Sequence, residues 1–246
     1  KTAGITGSRF LSVNNETDRK KRFLLFERIR QETGNSVYSI HASVMQEYSP
    51  DNETGGKSMR YTHLGRTGLV VSRLALGTMN FGHVTDEAAS HAIMDRAVEA
   101  GINLFDTADV YGGPQTPDIP KGYGISEEII GRWLEKSGNR NKIVLATKVY
   151  QPMDYGPNDR RLSAYHIRNG CEDSLRRLKT DHIDLYQAHH IDRHTPWEEF
   201  WQAMEQLVRQ GKILYAGSCN FAGWHIASAQ ESAKQRHFLG LVSEQS

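Results

Sequence analysis

The sequence predicts an α/β protein, a (β/α)₈ barrel with about six of its eight βα units in this chain. Three observations predict it. From Met59 onward, short apolar runs alternate strictly with helical patterns, which gives a parallel sheet with right-handed crossovers. Nearly every apolar run ends in a polar side chain. Three of those ends fall at repeat spacing: Asp106, Lys148 and His189 lie 42 and 41 residues apart, about one strand–helix–strand repeat with a generous loop. In such a barrel all strands point their C-terminal ends at one face, where reactive side chains gather. A doubly wound sheet would prefer G-x-G-x-x-G after its first strand, whereas LGTMNFGH offers only Gly77 and Gly82.

The elements follow in order. RYTHLGRTGLVVSR reads as a hairpin turning at Gly65–Gly68. LALGTM (Leu74–Met79) is the first barrel strand. Thr85 is a candidate N-cap for the next helix, with Asp86 and Glu87 in its first turn. Ile93, Met94, Ala97 and Val98 form its buried stripe, and Gly101 stops it. INLFDTAD is the second strand. Ser126 is expected to cap a helix whose Ile129, Ile130, Trp133 and Leu134 face inward, ending at Gly138. KIVLATKV is a continuous apolar run, as expected where helices cover a parallel sheet. Ser163 caps a helix in which Ile167, Cys171, Leu175 and Leu178 recur at helical spacing, which assigns Cys171 to packing. HIDLYQAHH is the fourth strand. Thr195-Pro196-Trp197-Glu198 has capping-box spacing with Pro at the first helical position, and that helix stops at Gly211. KILYAGSCNF is the fifth strand, a helix follows to about His237, and FLGLVSEQ begins the sixth. Trp133, Trp197, Trp201 and Trp224 lie on these helices and are expected to pack.

Residues 1–58 form a separate extension, rich in Asn, Ser, Thr and Glu and without the strand–helix repeat. The chain begins with Lys, so its native N-terminus is expected to be missing or processed. DRKKRFLLFERIRQ (Asp18–Gln31) is a candidate basic helix, read as a surface helix or flexible arm. GGKS (Gly55–Ser58) lacks the upstream glycine and strand of a phosphate loop and reads as linker.

Composition narrows the function. The formal net charge is +1, so no global field draws nucleic acid. No apolar run approaches the roughly 20 residues that span a bilayer. The two cysteines, Cys171 and Cys219, cannot make a disulfide framework, and a reducing, cytoplasmic setting is the simpler expectation. The sequons at Asn15 and Asn52 would matter only on a secreted chain. Asp106, Tyr111, Lys148 and His189 together make a proton donor with a means of lowering its pKa. A metal-dependent hydrolase is a competing reading of HHIDRH, with His189, His190, Asp192 and His194. On a strand, however, His189 and His190 would point to opposite faces. No metal is therefore expected.

From Met59 onward the chain resembles the aldo-keto reductase family. The matching pieces are LGRTGLVVSRLALGTMNFG, GINLFDTADVYG, ISEEIIGRWL, VLATKV, RRLKTDHIDLYQAHHID, GKILYAGSCNF and SEQ, in the family's order, so residues 59–246 read as an incomplete barrel domain. The resemblance implies NAD(P)H-dependent reduction of aldehydes or ketones, with NADP(H) favoured over NAD(H) and a small-molecule carbonyl as partner. It makes Tyr111 the general acid, Lys148 the cation that lowers its pKa, Asp106 the partner of Lys148, and His189 the group that orients the carbonyl. On the cofactor side it implies Asn220 and Gln245 at the nicotinamide carboxamide, Thr78 and Met79 near the ribose, and Asp106 and Cys219 beside them. Cys219 stands where the family often has Ser, and a thiol bonds more weakly than a hydroxyl. A non-catalytic, cofactor-sensing or partner-binding relative is the alternative.

Overall fold

A computed structural model describes residues 59–246, apart from 115, 117 and 118. The candidate helix at 18–31, the GGKS linker and both sequons lie outside the described residues. A hairpin of β1 (Tyr61–His63) and β2 (Val70–Ser72) comes first, paired antiparallel. Six parallel strands follow, in sequence order: β3 (Ala75–Gly77), β4 (Leu104–Asp106), β5 (Val144–Val149), β6 (Ile183–Ala188), β7 (Ile213–Cys219) and β8 (Leu241–Gln245). Between them run α1 (Glu87–Glu99), α2 (Ile125–Ser137), α3 (Ala164–Leu178), α4 (Trp197–Arg209) and α5 (Gly223–Gln235). Each βα unit thus lies where the alternation predicts.

The sheet is curled. The side-chain amide of Gln245, on β8, donates to Asp106 on β4 at 3.3 Å. Four strand spacings in a flat sheet would hold those strands about 19 Å apart. Six parallel strands rolled this way are a large part of a (β/α)₈ barrel. β5 and β6 are buried at every position, as strands enclosed on both faces must be. The helices supply the outer layer through their apolar stripes. Met94 of α1, Ile130 and Trp133 of α2, Ile167 and Cys171 of α3, and Phe200, Trp201 and Met204 of α4 are all essentially inaccessible. Each large apolar side chain so buried contributes about 1.5–3 kcal/mol. The Trp133 indole stacks on Phe105 and donates to Asp95, while Trp201 donates to the Ala229 carbonyl. Trp197 packs against Phe200 and Phe221. Trp224 breaks the expectation, being 64% exposed at the start of α5.

Helix starts differ from the sequence expectation at three points. Asp86, not Thr85, caps α1, accepting from the Ala89 amide at 2.8 Å, while Thr85 takes a bond from the Asn80 side chain. Ser126 lies inside α2, whose N-cap is Gly124 in the left-handed conformation. Its buried hydroxyl donates to the Thr78 carbonyl and meets the hydroxyls of Thr78 and Thr107. Pro196 sits at the N-cap of α4 rather than inside it, and Thr195 bonds Asp192 instead of the helix. In each case a competing partner, distant in sequence for Ser126 and in the preceding turn for Thr85 and Thr195, took the hydroxyl. Ser163 does cap α3, and Gly138 ends α2 at φ 66°.

Behind β4 and β5 lies a buried charged cluster. Glu127 of α2 accepts from Thr147 at 2.5 Å and from Arg177 of α3 at 2.7 Å. Asp109 is buried beside them, and neither carboxyl oxygen has a hydrogen-bond partner among the described residues. Burial, aided by the Glu127 charge and opposed by Arg177, pushes the Asp109 carboxyl well above the usual range. α2 crosses α3 closely at Gly131, where a Cβ would overlap the Arg177 carbonyl oxygen.

Two measurements probe this packing. Gly131→Ala should lower unfolding free energy by about 1–3 kcal/mol through overpacking, although alanine favours helix by about 1 kcal/mol. An unchanged urea midpoint would show that the helices part without cost. Asp109→Asn addresses the buried carboxyl. The folded chain keeps the Asp109 proton to higher pH than the unfolded chain, so this group makes stability fall as pH rises above about 4. Asparagine removes that loss. The variant should gain on the parent as pH climbs from 4 toward the raised folded value, by at most about 1.4 kcal/mol per unit. Parallel pH–stability curves would contradict the assignment.

Candidate active site

The C-terminal ends of the strands bring the sequence-predicted residues together. Asp106 closes β4, and Lys148 lies near the end of β5. Asp106 pairs in register with Ala146, so Lys148, two residues on, projects to the same face as Ala146. The Lys148 ammonium, fully buried, donates to both Asp106 oxygens at 2.8 and 2.7 Å and to the Thr107 carbonyl at 2.9 Å. It also reaches the Tyr111 hydroxyl at 3.4 Å. Tyr111 sits on the loop after β4 and is 8% exposed. His189 directly follows β6, its ring edge-on to Tyr111 with centroids 5.8 Å apart.

The electrostatics follow from burial and pairing. Desolvation alone would pull the Lys148 pKa down, but Asp106 and then Tyr111 outweigh it, and the ammonium is held above its usual value. The expectation that Lys148 leaves Tyr111 with a lowered pKa needs correction. Lys148 does act in that direction, but burial is the larger influence and Asp106 adds to it, so the phenol lies above its ordinary value. Asp106 opposes the cation's field at the phenol. Burial, Lys148 and His190 hold His189 well below the usual imidazole range, so it is neutral at pH 7. Its Nδ1 is buried without a partner among the described residues.

The remaining predicted residues divide. Gln245 donates to Asp106 through Nε2, while its Oε1 is buried and has no partner among the described residues. Asn220, in the left-handed region at φ 59°, donates from its backbone to the Gln245 carbonyl at 2.9 Å and from its side chain to the His189 carbonyl at 3.1 Å. Cys219 accepts from the Asn220 amide, and burial pushes its thiol up to about 11. Met79 packs beside Tyr111, in a group with Val110 and Ile119. The Thr78 hydroxyl donates to the Asp106 carbonyl and meets the Ser126 hydroxyl.

Two contributors were not read from the sequence. Gln187 donates to Asp106 at 3.3 Å. It lies in register with Lys148 on one side and Gly217 on the other, and its signal was a side-chain amide near the polar end of a fully buried strand. Glu244 accepts from Ser218 and from the Phe221 amide, bracing the turn that carries Asn220. The HHIDRH side chains do not gather into one ligand cluster. The strand ends at Ala188, and His189 and His190 stack at 5.1 Å and 11° rather than facing apart. Among the described residues, no three His, Cys, Asp or Glu side chains come together as metal ligands.

Comparison with known proteins places the sequence among its relatives. The chain is 57% identical over 192 residues to "Uncharacterized oxidoreductase YrpG" of Bacillus subtilis (strain 168), covering 76% of this chain and 57% of that protein. It is 38% identical over 183 residues to "Protein tas" of Escherichia coli (strain K12), covering 66% and 52%. A "Probable voltage-gated potassium channel subunit beta" of Oryza sativa subsp. japonica is 34% identical over 189 residues, covering 76% and 54%. The chain spans little more than half the length of these relatives. A sequence model of the aldo/keto reductase family matches residues 73–245, and the chain belongs to that family.

Proposed function

We propose that this chain carries the proton-donating half of an NAD(P)H-dependent reductase of aldehydes or ketones. The observation that carries the reading is the buried Lys148 ammonium, clamped by Asp106 and 3.4 Å from the Tyr111 hydroxyl. Reduction of a carbonyl builds negative charge on oxygen, and a proton must arrive from a placed acid. Tyr111 holds its proton at neutral pH. Lys148 stabilises the phenolate left when that proton moves to the substrate oxygen. His189, neutral and against the Tyr111 edge, donates to the carbonyl and orients it.

The residues present fit a nicotinamide. Gln245 Oε1 is a buried acceptor without a partner among the described residues, which suits a carboxamide N–H, and Asn220 stands next to it across the Gln245 carbonyl. When bound, the nicotinamide supplies the hydride. Family resemblance favours NADP(H). Two buried, unpaired cysteines fit a reducing compartment, and no described helix is long and apolar enough to cross a membrane.

The test is aldehyde-dependent oxidation of NADPH beside NADPH binding by fluorescence, with and without Tyr111→Phe. The variant should lose about 10²–10⁴-fold in kcat while binding NADPH as the parent does. Retention of full turnover by the variant would sink the role of Tyr111. NADPH binding by a parent chain that reduces no carbonyl would favour a cofactor-sensing or partner-binding protein, the reading suggested by the channel-subunit name of the rice relative.

A further inference from the structure

A second opening lies on the same rim as Tyr111. It is a cavity of about 250 Å³ lined by Tyr150, Arg161, Ile191, Asp192, Arg193 and His194. Tyr150 directly follows β5, and Ile191 to His194 lie just beyond β6, on the face where barrel loops carry binding groups. A row of rings connects it to the candidate site. His189 meets Tyr111, stacks on His190 at 5.1 Å, and His190 meets Tyr150 edge-on at 5.3 Å.

The lining is cationic in effect. Two guanidiniums meet one carboxylate, and that carboxylate, although it feels the Arg161 charge, spends its hydrogen bonds elsewhere. Asp192 is buried and accepts from the Leu162 amide, the His194 amide and the Thr195 hydroxyl, at 3.3, 3.0 and 2.8 Å. Among the described residues, no side-chain hydrogen bond engages Arg161 or Arg193. Arg161 also holds a backbone φ of 71°, which residues other than glycine seldom adopt, and its amide donates to the Tyr150 carbonyl at 2.6 Å. Such conformations cluster where a side chain is aimed at a ligand.

We infer that this cavity binds an anionic group, carboxylate or phosphate, at the far end of the carbonyl substrate. The guanidinium fork matches either oxyanion, and Tyr150 and Ile191 offer apolar wall to the chain that joins it to the carbonyl. The inference rests on the carbonyl-reductase reading for its substrate, but the anion site stands on its own geometry. The substrate class is then an oxo acid or a phosphorylated aldehyde, with several bonds between carbonyl and anion, enough to pass His190.

Calorimetric titration with inorganic phosphate and, separately, with a straight-chain monocarboxylate tests the site without turnover. Parent, Arg161→Gln and Arg193→Gln chains are compared, with thermal melts confirming that each is folded. Saturable binding, weakened about tenfold by either change, is expected, and the tighter anion names the substrate group. In parallel, NADPH-dependent reduction is measured for aldehydes of equal length with and without a terminal anion. The preference for the anionic member should be about tenfold and should fall in both variants through KM. Absence of saturable binding to either anion, or binding and preference indifferent to both arginines, overturns the inference. If neutral aldehydes are not reduced either, the reductase reading fails, and the titration alone still decides the anion site.

Discussion

The ion pair between Lys148 and Asp106 is the constraint on which the rest of the structure turns. An ammonium with no exposed surface loses several kcal/mol of hydration, and only close partners offset that loss. Asp106 provides two oxygens and Thr107 a third. Those partners exist only if β4 and β5 keep their register, because a one-residue slip would turn Lys148 outward. Asp106 in turn collects the amides of Gln187 and Gln245, and the second of these requires the sheet to curl through four further strands. Register, curvature and charge pairing are therefore a single condition.

Buried pairs of this kind are weak contributors to stability, since well-packed apolar residues often replace them at no loss. Its value lies in what it does to its neighbours. A lone buried cation would lower the Tyr111 pKa strongly. Paired with Asp106, it acts more as a dipole, and desolvation of the phenol prevails. The phenol keeps its proton, yet the ammonium is in place for any negative charge that forms on it. The same cation, with burial, keeps His189 neutral. Both side chains therefore stand at the rim as donors rather than as ions, the state the proposed proton transfer needs.

Much of this was legible in the sequence because it depends on local periodicity. Parallel strands closed by polar ends, with helices between, needed only the alternation from Leu74 to Gln245, and that alternation also told which rim Asp106, Lys148 and His189 share. Helix starts were less legible. Thr85, Ser126 and Thr195 all look like caps from their neighbours, but each hydroxyl found a partner distant in sequence or in an adjoining turn. Gln187 escaped notice because its importance comes from a register partner 39 positions away, and the Tyr111 pKa because it is a balance of burial against two opposite charges. Those are tertiary quantities, and no window of sequence contains them.

Tyr111 itself raises a problem of support, since it stands on a loop rather than a strand. Its amide donates to the Ala108 carbonyl, its carbonyl accepts from Ser126, and the Val110 carbonyl accepts from Tyr123. The next residue, Gly112, takes φ 117° directly against the start of α2, where a Cβ would collide with Ile125 and come within 2.9 Å of the Ser126 amide. Backbone bonds, a glycine and the N-terminus of α2 thus press the loop onto the barrel rim. Behind it, Glu127 ties α2 to β5 through Thr147 and to α3 through Arg177. The apolar stripes alone could let α2 slide by fractions of an ångström, enough to move a loop whose Tyr111 carbonyl is bonded to its first turn. Directional bonds to a buried carboxylate resist that sliding. The charged cluster behind the sheet and the ion pair in front of it thus hold the phenol between them.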